Sequence, residues 1–187
     1  MSFRNTITLI ALFGLILTVG SGCGGGAADM RPHVTQAVAI LHPTMNSQVA
    51  GQVIFMENAE GAVSITAKIT GLTPGLHGFH IHTYGDLRGP EGKSAGGHYN
   101  PFDREHGAPT DANRHVGDLG NVDADTNGQV DITWTDPVIR LNGAQSIIGR
   151  AVVVHAGEDD LVSQPTGGAG ARVAAGVIGV ANPNWNP

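Results

Sequence analysis

In the stretch GFHIHTYGD (Gly78–Asp86), two histidines stand at i and i+2 among apolar and aromatic neighbours. Side chains of a strand alternate between faces, so His80 and His82 share one face and Phe79 and Ile81 the other. Paired imidazoles on a strand face are either solvated or bound to a metal, and the spacing alone leaves both readings open. The neighbouring sequence adds donors. His77, His80, His82, His98, His106 and His115 fall within 39 residues, and a metal gathering several of them would fix a segment that has little apolar surface of its own to bury. In RHVGD, Asp118 follows His115 by three residues and sets a hard oxygen donor beside the nitrogens, a mixture that suits zinc. AVVVHA repeats the opening geometry, with Val152 and Val154 facing one way and Val153 and His155 the other.

Each residue taken singly has a plainer reading. Asp118 before Leu-Gly-Asn is turn-like, and His155 fits a strand-end histidine capped by the backbone. His77 has the face parity of Phe79 and is assigned to packing or a backbone hydrogen bond. His33 and His42 flank the first strand and read as solvated, and Arg104 and Glu105 read as a solvated turn. The joint occurrence carries the metal reading.

The elements that must position these residues are short strands. Aromatic residues are 5% and charged residues 14% of the chain, and 28 of its 187 residues are glycine, a composition of strands and tight turns rather than long helices. Alternation places Val63, Ile65, Ala67 and Ile69 on one face of AVSITAKIT, and Val130, Ile132 and Trp134 on one face of QVDITWTD. Val34–Leu41, Gly51–Glu57, Gly78–Thr83, Ile147–Ala156 and Arg172–Ala181 read as further strands. Turn signals at Asn58–Gly61, Thr73–Gly75 and Asp125–Gly128 separate them. The pattern predicts an antiparallel Greek-key sandwich or barrel. Tyr84–Asn113 and Gly157–Ala171 lack strand periodicity, and loops of such length in a compact domain are usually functional or disordered.

The N-terminus pairs Arg4 with an apolar run from Ile7 to Val19, as an export signal does, and the run is short for a membrane span. Cys23 is the only cysteine, so no intramolecular disulfide is expected. After Gly20-Ser21-Gly22 it resembles the lipid-modified first residue of bacterial lipoproteins, although Gly20 stands where those boxes usually carry an aliphatic residue; cleavage after Ala28 is the rival. The expected organisation is a signal peptide at 1–22, a tether from lipidated Cys23 to 33, a domain at 34–181 and a tail at 182–187. The protein is expected to be exported and lipid-anchored at the cell envelope, on the periplasmic face or the cell surface. Beyond the signal, 9 basic groups face 16 acidic ones, which argues against a nucleic-acid partner.

Five segments, GFHIHTYGD, SAGGHYNP, REHGAPTDANRHVGDLGN, IIGRAVVVHA and GAGARVAAGVIGVA, closely resemble successive motifs of the Cu/Zn superoxide dismutase family, in its order, across Thr35–Ala181. The resemblance implies an all-β, eight-stranded antiparallel Greek-key β-barrel with two long metal-binding loops. It implies one copper per subunit, Cu(II)/Cu(I), held by His80, His82, His98 and His155. It also implies one Zn(II) per subunit held by His98, His106, His115 and Asp118, with His98 bridging. Asp159 matches a carboxylate that links His80 to His106, with Asp160 as its neighbour and rival. Arg172 matches an arginine that orients superoxide, and His98 a proton donor. The expected activity is dismutation of superoxide, with an exported copper/zinc buffer on the same fold as the alternative, and a homodimer is left open. Two departures are visible. Gly92 and Ala175 occupy the positions of the family's disulfide, and Gly157–Ala171 is short and lacks lysine, which leaves Arg172, Arg88 and Lys93 as candidate positive guides.

Overall fold

The structure is a computed structural model and describes residues 32–44 and 46–185. The expected signal and Cys23 lie outside these residues. Among the described residues nine strands follow one another: β1 (Gln36–Pro43), β2 (Ala50–Glu57), β3 (Val63–Thr70), β4 (Gly75–His82), β5 (Asp118–Ala124), β6 (Val130–Asp136), β7 (Ala151–His155), β8 (Arg172–Val177) and β9 (Gly179–Val180). The pairing order is β5-β4-β7-β8-β1-β2-β3-β6, all antiparallel, with two-residue β9 pairing beside β1. This is the expected all-β, nearly closed eight-stranded barrel.

Periodicity recovers the strands that keep one face in water. In β3 the residues Val63, Ile65, Ala67 and Ile69 are buried and alternate with more exposed neighbours. β6 departs from its expected pattern: Ile132 pairs with buried Ala67 yet is 36% exposed. The cause is position, because β6 ends the pairing order and Ile132 sits at the open seam. Trp134 nearer the interior meets Phe79 edge-on, with ring centroids 5.7 Å apart. β5 is the strand that alternation misses. It starts at Asp118, and Gly120 (φ +74) and Asn121 interrupt its apolar pattern.

β4 and β7 lie side by side with both faces covered. Phe79, Ile81, Val152 and Val154 enter the main core. Ala151 and Val153 on the opposite face join Ala95 and Ala175 in a second apolar cluster. Thus the outer face of this strand pair is roofed by the two long segments foreseen as loops. The first contains a short 3-10 turn, Pro90–Ala95.

Two register shifts occur where donors leave the sheet. One falls between Gly78 and His80 against β5, the other between Val154 and His155 against β8, beside Arg172. Such shifts bend a strand and re-aim its side chains. Gly78 is required here by close approach, since a Cβ would lie 2.6 Å from the Ala169 Cβ.

Candidate metal centre

His80 and His82 project from the outer face of β4, and His155 projects from the end of β7 beside them. The segment carrying His98 is laid along β4 by backbone bonds from Thr83 N–H to the Gly97 carbonyl and from Tyr99 N–H to the Ile81 carbonyl. The chain then returns, and Ile81 N–H also reaches across the strand end to Gly117. That contact sets His115 and Asp118 beside His98. His80, His82, His98 and His155 form one group of donors and His98, His106, His115 and Asp118 a second; within each, the candidate ligand atoms lie within 4.8 Å of one another. All seven residues are buried.

The partners of each ring decide which atom is left to bind something. A carbonyl or carboxylate only accepts, so the ring nitrogen against it carries the proton. His82 Nδ1 donates to the Gly96 carbonyl (2.8 Å), His155 Nδ1 to Gly170 (3.1 Å) and His115 Nε2 to Arg104 (3.0 Å). His80 Nε2 and His106 Nε2 donate to the two oxygens of Asp159, at 2.7 and 2.9 Å. Among the described residues, the opposite nitrogens of His80, His82 and His155 are buried without a hydrogen-bond partner, as is His98 Nε2, and His106 Nδ1 has only the Asp118 carboxylate beside it, at 3.0 Å. Such orphans are rare and call for a ligand or an ion. Asp118 shows the same economy. Its Oδ2 accepts from the N–H groups of Gly107 and His115, while its Oδ1 lies 2.7, 3.0 and 3.0 Å from the Nδ1 atoms of His98, His106 and His115. Ligand atoms around a tetrahedral zinc stand about 3.3 Å apart, so the second set is close to that geometry. The donor chemistry fits both metals: imidazoles suit copper, and three imidazoles with a carboxylate suit zinc.

Electrostatics separate the two groups. Burial pushes the pKa of His82 down to about 2 and those of His98 and His155 to about 4, and it lowers His80 as well. Their lone pairs are therefore free of protons at neutral pH. Burial also acts to lower His106, but hydrogen bonds to Asp118 and Asp159 outweigh it and raise His106 to about 9. Burial works to raise Asp118 and Asp159, and their imidazole partners hold both below the usual carboxylate range instead.

The family described as copper/zinc superoxide dismutase (SODC) matches residues 49–178. The chain belongs to the copper/zinc superoxide dismutase family. It is 48% identical over 153 residues to Superoxide dismutase [Cu-Zn] 2 of Mesembryanthemum crystallinum, covering 79% of this chain and 96% of that protein. It also resembles the crystal structure of the clock protein EA4, with TM-score 0.76 and 42% identity, over 83% of this chain and all of that one. Copper and zinc are the cofactors of this family.

The remaining expected residues fall as follows. Of Asp159 and Asp160, the buried Asp159 joins His80 to His106, whereas Asp160 is exposed and accepts from Val162 and Ser163 N–H. Arg172 Nη1 and Nη2 donate to the Gly92 and Gly96 carbonyls at 2.5 and 2.6 Å, and Gly96 also holds His82. Arg88 and Lys93 are not free cations, since each pairs with a nearby carboxylate, Asp86 at 2.8 Å and Glu91 at 2.5 Å. His77 is buried, with Nδ1 2.8 Å from the His155 carbonyl, while His33 and His42 are exposed.

Sequence reasoning missed four supports. The Arg104 backbone, expected to be only a solvated turn, orients His115. Arg114 is fully buried: its guanidinium donates to the carbonyls of His115 (3.0 Å) and Asp118 (2.8 Å) and pairs with Asp136 at 2.5 Å. Asn121 bonds both backbone groups of Asp159, and Gln164 both backbone groups of His106. A buried arginine needs a partner, and that was the one available signal, in NRHVGD.

Proposed function

We propose that this protein dismutes superoxide, converting two superoxide anions and two protons to dioxygen and hydrogen peroxide. Copper would be held by His80, His82, His98 and His155, and zinc by His98, His106, His115 and Asp118. The observation that carries this reading is the placement of His98, the one residue that belongs to both buried donor sets, with Nδ1 beside Asp118 and Nε2 without a partner among the described residues. When bound, copper supplies a one-electron couple, Cu(II)/Cu(I), that accepts an electron from one superoxide and returns it to the next.

The protein's own groups do the rest. Arg172 is fixed at two carbonyls, and one of those also fixes His82, so the guanidinium is held in register with that donor set. A planar cation so placed attracts and orients the anion. His98 Nε2 has no hydrogen-bond partner among the described residues while Nδ1 lies beside Asp118, and His98 belongs to the same set, so Nε2 can hold a proton and release it to the forming hydrogen peroxide. Asp159 fixes the protonated nitrogens of His80 and His106 and keeps both rings in their binding tautomers.

The test is superoxide removal by the copper- and zinc-loaded protein, compared with Arg172→Ala and His98→Ala. A dismutase loses most of its activity in Arg172→Ala while retaining copper. A metal buffer would bind copper equally in wild type and Arg172→Ala and be almost inactive in each, and unchanged activity and zinc retention in His98→Ala would refute the shared ligand. An exported setting, anchored by lipid at Cys23, belongs to the same proposal on the strength of the N-terminal sequence. The mass of the mature protein tests it, because cleavage after Ala28 would leave no cysteine.

A further inference from the structure

His106 is held almost entirely from outside its own segment. Its N–H donates to Gln164 Oε1 at 2.8 Å, and its carbonyl accepts from Gln164 Nε2 at 2.9 Å. Neither backbone group has another partner among the described residues. The ring Nε2 is held by Asp159 Oδ1 at 2.9 Å. Three polar groups of one candidate zinc ligand are therefore satisfied by two residues of the second loop, and the fourth, Nδ1, is left for the metal.

That loop is braced as a frame. Asp160 Oδ1 accepts from Val162 and Ser163 N–H, and backbone bonds join Asp160 N–H to Gly167 and Gly167 N–H to Ser163. Asn121 on β5 ties Asp159 to the sheet by two bonds, 2.8 and 2.9 Å. An amide that bonds both backbone groups of one residue imitates a neighbouring strand, and it fixes that residue's position as well as its ring orientation.

We propose that Gln164 is a positioning residue for zinc, coupling the second loop to His106 and thereby setting zinc affinity. The inference rests on the metal assignment above. In this chain the loop between β7 and β8 holds a ligand of the opposite loop; having no lysine, it offers little for anion guidance. Residues that orient metal ligands typically change affinity by ~10–100-fold when altered.

The experiment measures zinc and copper binding to the full chain by competition with a chromophoric chelator, at a temperature well below unfolding. Hydrogen exchange at the His106 amide is followed in the zinc-loaded protein. Gln164→Ala should weaken zinc by ~10-fold or more, leave copper binding to the zinc-free protein within about twofold and speed exchange at His106. Gln164→Glu keeps the acceptor for His106 N–H and loses the donor, so its loss should be smaller than that of Ala. Gln164→Asn, one methylene short, should behave like Ala. A purely structural role would lower the unfolding temperature of the metal-free protein and leave zinc affinity within about twofold of wild type, and that result overturns the proposal. If the wild-type chain itself takes up no zinc, the metal assignment and this inference fall together; tight wild-type binding with an unaffected Gln164→Ala sinks the inference alone.

Discussion

Replacing Gly92 and Ala175 together by cysteine tests whether the first loop is held to the barrel as the geometry indicates. A Cβ built on Gly92 lies 3.9 Å from the Ala175 Cβ, inside the 3.5–4.5 Å range of disulfides. The bond would close a loop of about 84 residues, which in the chain-entropy model stabilises by about 4.6 kcal/mol. Part of this is lost because Gly92 has φ +65 and ψ +16, a left-handed conformation that costs an L-residue about 1–2 kcal/mol. The net gain is about 3 kcal/mol, or about 6–12 °C in unfolding temperature for a domain of this size. The assay is thermal unfolding of the metal-free double variant in a Cys23→Ser background, oxidised and then reduced. Zinc is omitted because its binding would stabilise the native state in both forms and mask the difference. An oxidised form that unfolds within about 1 °C of the reduced one, with thiol titration showing the bond present, would refute the reasoning that this bond closes without straining the placement of the first loop against β8.

Four further outcomes follow from the site. Zinc binding at pH 7 should release about one proton into weak buffer, because His106, at about 9, is protonated in the metal-free protein. Copper should then release about one more from the zinc-loaded protein and almost none from the zinc-free one, because His98, at about 4, is already neutral and loses its last proton only when shared; equal release in both cases would exclude the shared imidazole. Gly167→Ala should detach Asp159, since its Cβ would collide with Asp159 Oδ1 at a φ of +69, and zinc affinity should drop ~10-fold or more; an unchanged chelator competition would contradict this. Arg88→Ala and Lys93→Ala should change the superoxide rate less than about twofold at low salt, because both cations are paired, whereas Arg172→Ala should reduce it by more than tenfold in the same stopped-flow series. Asp136→Asn strands the buried Arg114 guanidinium, and breaking such a pair costs about 3–5 kcal/mol, read as a lower denaturant midpoint.

The readable part of the chain was the part where periodicity and residue type coincide. Strand parity put His80 and His82 on one face and His77 on the other, and that is how β4 is built, with His77 buried opposite them. Alternation failed where geometry, not composition, decides exposure. Ile132 is exposed by the seam, and β5 is broken by Gly120 and Asn121. The outer supports were illegible for a different reason. Carbonyls of Gly96, Gly170 and Arg104 orient three rings, and a backbone acceptor carries no residue type. Gln164 meets His106 across 58 positions, a separation at which neither spacing nor propensity speaks.

Those unseen supports explain why His98 stands apart from the other rings. His80, His82, His106, His115 and His155 each have one nitrogen pinned against an acceptor outside the ligand groups. Their protons are fixed and each can bind through one atom only. Among the described residues His98 lacks such an outside acceptor: its Nδ1 faces Asp118, itself a member of the second group, and its Nε2 faces none. Any proton on this ring must sit at one of the two places where a metal would be, so even the neutral ring of His98 must give up its last proton to bind both metals, which none of the other rings has to do. In the proposed reaction a proton on this ring would therefore sit at Nε2, on the side of the copper set, because Nδ1 is taken when zinc is present.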